Sequence, residues 1–329
     1  MKKQLIAAAV ATSVSAIAMA DISITGDLKT NFTHSDYQST LVNDSDTFTT
    51  EGNLRIKGKS GDTSVVMNFG GIDTAATAVS TTDATGSRSQ MNHEDVYLTT
   101  KIGDVDVKMG NYDNGDLALR ASNRSARASL TTELAGFTLS YLNGNGANSQ
   151  NDEVGISTTL GGVNVSYTAK DGGETIKAST SVGGVNVSYV GLPSDTADSD
   201  RDLIELSTTM NGVGIKLGSA TAETGTTITG DSWLGDYESS GGLEHTMLAG
   251  QDVTGVELST SVAGNKLTFR NINVDGANTA NKDWDMNKVI VTRPLASGAT
   301  LEVTYKDIND DGSTTTDVEV LDIELAVKF

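Results

Sequence analysis

Val318-Glu319-Val320-Leu321-Asp322-Ile323-Glu324-Leu325-Ala326-Val327-Lys328-Phe329 ends the chain, and its reading decides the fold. Counting back from Phe329, every second residue is apolar: Val327, Leu325, Ile323 and Leu321. Between them stand Lys328, Ala326, Glu324 and Asp322. A period of two puts the apolar set on one face of a strand and the charges on the other. Chain ends fray in water, so a strand that stops on an aromatic residue needs a partner. A closed barrel supplies one, because its last strand pairs with its first and leaves no edge. Val318 and Val320 are out of phase with Leu321 onward. The slip predicts a bulge between Val320 and Leu321, or a Val320 facing the lumen at the mouth.

The opposite end alternates in the same way. Ile22, Ile24, Gly26, Leu28, Thr30 and Phe32 share one face, against Ser23, Thr25, Asp27, Lys29 and Asn31. Between the two ends, tight turns rich in glycine join alternating segments at Ser60-Gly61-Asp62, Gly103-Asp104, Ala135-Gly136, Gly161-Gly162, Gly183-Gly184, Asn211-Gly212, Ala263-Gly264-Asn265 and Ser297-Gly298. Small residues that accept positive φ are what such hairpins require. The other connections are mostly longer and far more polar. Gly161 to Tyr167 recurs unchanged at Gly183 to Tyr189, but the 22-residue spacing does not persist and reads as local hairpin duplication rather than a solenoid. Eight tight turns with a strand at each end make 18 strands. Sixteen remains open if the hairpin at Ala135-Gly136 is misread.

Each strand has one apolar face and one that carries charge: Arg55 and Lys57, Asp106 and Lys108, Glu302 and Lys306. The charged face wants water. No helical pattern is available to cover the apolar face, so that face wants lipid. The expected fold is an all-β transmembrane antiparallel up-and-down barrel of 16–18 strands over residues 21–329, with short periplasmic turns and longer extracellular loops. Its lumen would be aqueous rather than packed. Residues 1–20 read as a secretory signal: Lys2 and Lys3, an apolar run too short to span a membrane, then Ala18-Met19-Ala20. The exported chain has no cysteine, so disulfides contribute nothing to its stability. The net charge is −20, which excludes a nucleic-acid role.

Ile22 to Leu28 directly after the signal, and the closing strand on Phe329, resemble the ends of Gram-negative general diffusion porins. The order of tight turns and long loops is similar throughout. The resemblance implies a homotrimer in the outer membrane, passive diffusion of small hydrophilic solutes and ions, and a third loop folded into the lumen. It also implies that the outer-membrane assembly machinery reads Phe329, Val327 and Leu325. Here the third loop, between Asn111 and Ser129, is short, and the longer loop from Ala222 to Gly250 is an alternative for folding inward.

Selectivity candidates follow from charge at a narrowing. The third-loop region holds Asp113 and Asp116, then Arg120, Arg124 and Arg127; Arg55 and Lys57 join them from the watered face of their strand. Arg127 shares parity with Ser129, Thr131 and Glu133, opposite Leu130 and Leu134, so it is expected to face the lumen. The acidic balance predicts weak cation preference. Tyr141, Tyr167, Tyr189 and Tyr305 share the parity of lipid-facing residues and fit an interface belt. Asp307, Asn309 and Asp311 match the first half of a calcium loop, although position twelve is Val318 rather than an acid. A polar turn uses the same residues. Gly230-Asp231-Ser232-Trp233 is similar to an esterase nucleophile block, but His34, His93 and His245 sit in separate segments, and no enzyme or resident cofactor is expected. The rival readings are a substrate-specific channel and a soluble exported β-rich adhesin.

Overall fold

The computed structural model describes residues 21–38, 44–70, 76–77, 92–113, 124–143, 152–170, 172–226, 233–235, 250–276, 283–310 and 317–329. The signal segment 1–20, Asp116, Arg120 and Asp311 lie outside them. The strands are β1 (Asp21–Tyr37), β2 (Ser45–Ser60), β3 (Thr63–Gly70), the two-residue β4 (Ala76–Thr77), β5 (Asn92–Ile102), β6 (Val105–Asp113) and β7 (Arg124–Leu134). There follow β8 (Phe137–Asn143), β9 (Glu153–Leu160), β10 (Val163–Lys170), β11 (Gly173–Val182), β12 (Val185–Leu192) and β13 (Arg201–Met210). The last are β14 (Val213–Ala222), β15 (Asp252–Val262), β16 (Asn265–Asp275), β17 (Trp284–Pro294), β18 (Ala299–Asp310) and β19 (Val318–Lys328).

Apart from β4, which only caps the loop end of β2 at Thr47 and Phe48, each strand pairs antiparallel with the next. β19 returns to β1, closing a barrel of 18 through strands among the described residues. The doubtful hairpin forms: Ala135 and Gly136 take φ of 52° and 83°, and Leu134 pairs with Phe137. Alanine tolerates that left-handed conformation at a cost of roughly 1–2 kcal/mol, which the flanking ladders offset.

Closure is made at the seam. Asp27 pairs with Lys328, Phe32 with Ile323 and Tyr37 with Val318, without a shift in register. The terminal residue extends the ladder: Gly26 N donates to Phe329 O at 2.8 Å, and Phe329 N to Gly26 O at 2.9 Å. The Phe329 ring lies over Gly26, where a Cβ would meet its Cζ at 2.6 Å. Glycine at 26 is therefore the seat of the last side chain.

The outward face is apolar and exposed, as at Ile22, Ile24, Leu28, Leu217, Leu258, Phe269, Val289, Ile323, Leu325 and Val327. No helix of the described residues is long and apolar enough to cross a membrane; the strands do it. Above this band the outer face turns polar. Tyr141 donates to Asp152 (2.9 Å), Tyr167 to Glu174 (3.1 Å), Tyr305 to Glu319 (2.9 Å), and Tyr189 to Asp202. The tyrosine belt stands on the expected face, with each hydroxyl tied to an acid at the loop-side rim.

Of the calcium candidates, Asp307 and Asn309 lie within the described residues and Asp311 does not. Asp307 and Asn309 belong to β18, opposite Asn287 and Asp285, so they do not curl into a coordinating loop. Asp307 also pairs with Glu319, and Ile308 with Val318, leaving the proposed position twelve in a ladder. Among the described residues no group of three or more His, Cys, Asp or Glu could hold a metal ion.

The slip at Val318 and Val320 has its second predicted cause. Ser35 pairs with Val320 and His34 with Leu321 in unbroken register, and both valines point inward. They are buried, at 3 % and 2 % exposure.

Candidate functional site: the barrel lumen

The registers decide which side chains share the lumen. Lys57, Val66, Tyr97, Gly110 and Arg127 are successive partners across β2, β3, β5, β6 and β7. They lie on the face opposite the lipid-facing Met67, Val96 and Met109. Arg55, Asn68 and Asp95 make the neighbouring row. Arg55 and Lys57 of β2 thus come to one wall with Arg127 of β7, far from them in sequence.

The centre of that wall is Lys108. Its Nζ lies 3.8 Å from the Tyr112 ring centroid and 4.2 Å from that of Tyr97. The two rings meet edge-on, 5.7 Å apart at 65°. Arg127 lies 5.6 Å from Tyr112, and its Nε and Nη2 donate to Ser125 Oγ at 3.1 and 2.8 Å. Stacking of cations on aromatic faces holds them while the rings limit their rotamers. Gly110 lets the strands close beneath the rings: at φ 143° it has no Cβ, which would stand 2.2 Å from Val96 O. Asn68 Nδ2 donates to Asp95 Oδ2 at 2.8 Å, and Asp113 N to Asp95 Oδ1 at 3.3 Å. Asp113 therefore reaches this wall through its backbone, and Arg124 opens β7 directly opposite it. Lys108, Tyr97 and Tyr112 were not singled out from sequence. Their signal was available: both tyrosines are in phase with charged residues rather than with apolar ones.

Bases and acids differ in where they stand. Of the lysines and arginines in the described strands, all but Arg124 and Arg293 stand on inward registers, from Lys29 and Lys59 in β1 and β2 to Lys306 and Lys328 in β18 and β19. Acids are shared between the lumen, the loops and the outer rim. The net charge of the chain is therefore no guide to the charge of its bore. Lys216, Glu257, Arg270, Lys288 and Lys306 form another row, across β14 to β18. Arg270 Nε donates to Glu257 at 2.6 Å, and Lys306 lies 4.0 Å from Asp322.

At the loop end of β12 to β19 the lumen is not aqueous. Leu203, Ala220, Val253, Ile272, Val274, Met286, Ile308, Val318 and Val320 all face inward and form one buried cluster, with Met286 fully buried. Trp233 and Leu234, in a 3-10 turn (Trp233–Gly235) from the connection between β14 and β15, lie in it. Residues 233–235 of the longer connection thus reach the bore, as the sequence allowed. Gly218 and Gly255, paired across β14 and β15, make its seat. A Cβ at Gly218 would meet Leu234 at 2.8 Å and Trp233 at 3.0 Å; one at Gly255 would meet Leu234 at 2.5 Å. The indole Nε1 donates to Glu205 Oε1 at 2.6 Å, and Lys216 stands 5.2 Å from the ring. Burying roughly 200 Å² of indole at about 25 cal/mol per Å² contributes about 5 kcal/mol, comparable to the cost of ordering a three-residue turn.

No family model and no curated protein matches the chain. Solved structures do. The chain resembles OccK9 (OpdG) of Pseudomonas aeruginosa with a TM-score of 0.67 at 14% identity, covering 94% of this chain and 98% of that one. A BenF-like porin from Pseudomonas fluorescens Pf-5 gives 0.64 at 13% identity, covering 94% and 99%. OccK2 (OpdF) of P. aeruginosa, solved in complex with glucuronate, gives 0.67 at 12% identity, covering 94% and 98%. The fold is that of outer-membrane porins. With its apolar band and charged bore, the chain is a transmembrane β-barrel of the outer membrane.

Proposed function

We propose that this protein is a passive outer-membrane channel for small hydrophilic solutes that discriminates among them, favouring small solutes that carry a carboxylate. The observation that carries the reading is Lys108 held between Tyr97 and Tyr112 beside Arg127. Such a wall offers a cation to a carboxylate and ring faces to an apolar or sugar skeleton. The inward registry of the bases supports it. So does the glucuronate found with OccK2, a protein of like fold. This reading replaces the weak cation preference drawn from total charge.

Planar bilayers test it. Glucuronate added to a conducting channel is expected to produce saturable current block, glucose of similar size much less, and the reversal potential in a salt gradient to favour anions. Equal behaviour of the two sugars with cation preference would return the general diffusion reading. The same proposal includes removal of residues 1–20, homotrimeric assembly, recognition of Phe329, Val327 and Leu325 by the assembly machinery, and no catalytic activity. Amino-terminal sequencing of the mature protein should start at Asp21, and cross-linking of the detergent extract should give a trimer band.

A further inference from the structure

We propose that Trp233, seated on the glycine pair Gly218 and Gly255, is a selectivity-determining constriction of this channel, confining solute to the basic and tyrosine-lined wall. The inference rests on the channel reading above and deepens it. Three observations carry it. The seat is shaped for these side chains, since a Cβ at either glycine would collide with Trp233 or Leu234. The turn is anchored through polar atoms as well: the indole donates to Glu205 at 2.6 Å, and Lys216 lies 3.7 Å from the same carboxylate. The site is also one-sided. The buried apolar cluster draws its strand residues from β12 to β19 and none from β2 to β11, where charged, polar and tyrosine side chains make most of the lumen-facing set.

A bulky apolar group at this place narrows the bore on one side and excludes water there. Solute that passes must then travel along Lys108 and Arg127. Loss of the seat opens a second path that lacks those cations, so conductance rises while discrimination falls. Ordinary structural packing would move stability and leave both unchanged.

The full-length protein in planar bilayers tests this with two kinds of variant. Trp233→Ala combined with Leu234→Ala removes the occupant, and Gly218→Val evicts it while leaving the indole in the chain. Each is expected roughly to double single-channel conductance, as conductance follows open cross-section, and to weaken glucuronate block. Both tryptophans of the chain, Trp233 and Trp284, lie in the cluster, so intrinsic fluorescence reads this site alone. Iodide should quench the wild type poorly and Gly218→Val several-fold better. Unchanged conductance and block in folded variants, with a conducting wild type, overturn the inference and leave the channel reading standing. An indole freely quenched in the wild type overturns it whatever the conductance. A folded wild type that does not conduct overturns the channel reading, and the constriction with it.

Discussion

The two halves of the lumen differ in what they bury: apolar side chains at the loop end of β12 to β19, and charged, polar and aromatic ones such as Arg127, Thr175 and Tyr112 on β2 to β11. The β12 to β19 half carries Leu203, Val253, Ile272, Met286 and Ile308 inward at its loop end, packed and dry. The half from β2 to β11 carries Arg55, Asp95, Lys108, Arg127, Ser166 and Lys177 on the same inward registers. Both halves present the same apolar face to lipid. The lesson is that the outer face of a membrane barrel is constrained by one solvent, whereas its inner face is free to be core or channel wall, strand by strand. A loop that brings its own apolar residues decides which.

The comparison can be broken at its charges first. Replacing Lys108 and Arg127 with Glu is expected to reverse the sign of ion preference, because both stand on inward registers of the basic wall; the reversal potential in a salt gradient reads it. If the preference stays as it was, the open half is not the conducting one. Packing comes next. Met286→Ala should destabilise the refolded protein by about 2–5 kcal/mol, as a buried large-to-small change does. Ser166→Ala, on the wet half, should stay within about 0.5 kcal/mol. Urea unfolding followed by tryptophan emission compares the two, and equal losses would mean that the halves are packed alike.

The seam offers a third test, independent of the lumen. Gly26→Val should push the Phe329 ring from its place, and deleting Phe329 should remove two backbone hydrogen bonds. Both are expected to lower the yield of heat-modifiable, membrane-inserted barrel more than they change conductance. Normal assembly of the truncated chain would sink the closing-strand role. The smallest effect belongs to the rim. Tyr141→Phe should cost only about 0.5–1.5 kcal/mol, the net worth of one hydrogen bond, with the pore unaltered.

Much of the barrel was legible because lipid imposes a rule that sequence states directly. Alternation marked the strands, glycine pairs marked the turns, and the eight turns counted out the through strands. Even the departure at Val318 and Val320 was visible as a broken parity. The same period was readable at Asp307 and Asn309, which alternate with Ile308 as strand residues do and stand in the β18 ladder. The inward registers of the bases were open to the same parity reading, which a total charge does not contain.

By itself, then, the sequence determined the fold class, a strand count of 16 to 18, the closing partner of Phe329 and the inward direction of Arg127, since alternation and tight turns are local to the chain. The tertiary structure alone decided that Arg55, Lys57, Lys108 and Arg127 share a wall, and that Trp233 comes to rest on Gly218 and Gly255. Those facts depend on register between strands and on where a loop returns. Neither is written in the alternation of any single strand, because hydrogen-bonded ladders set them only when the barrel closes.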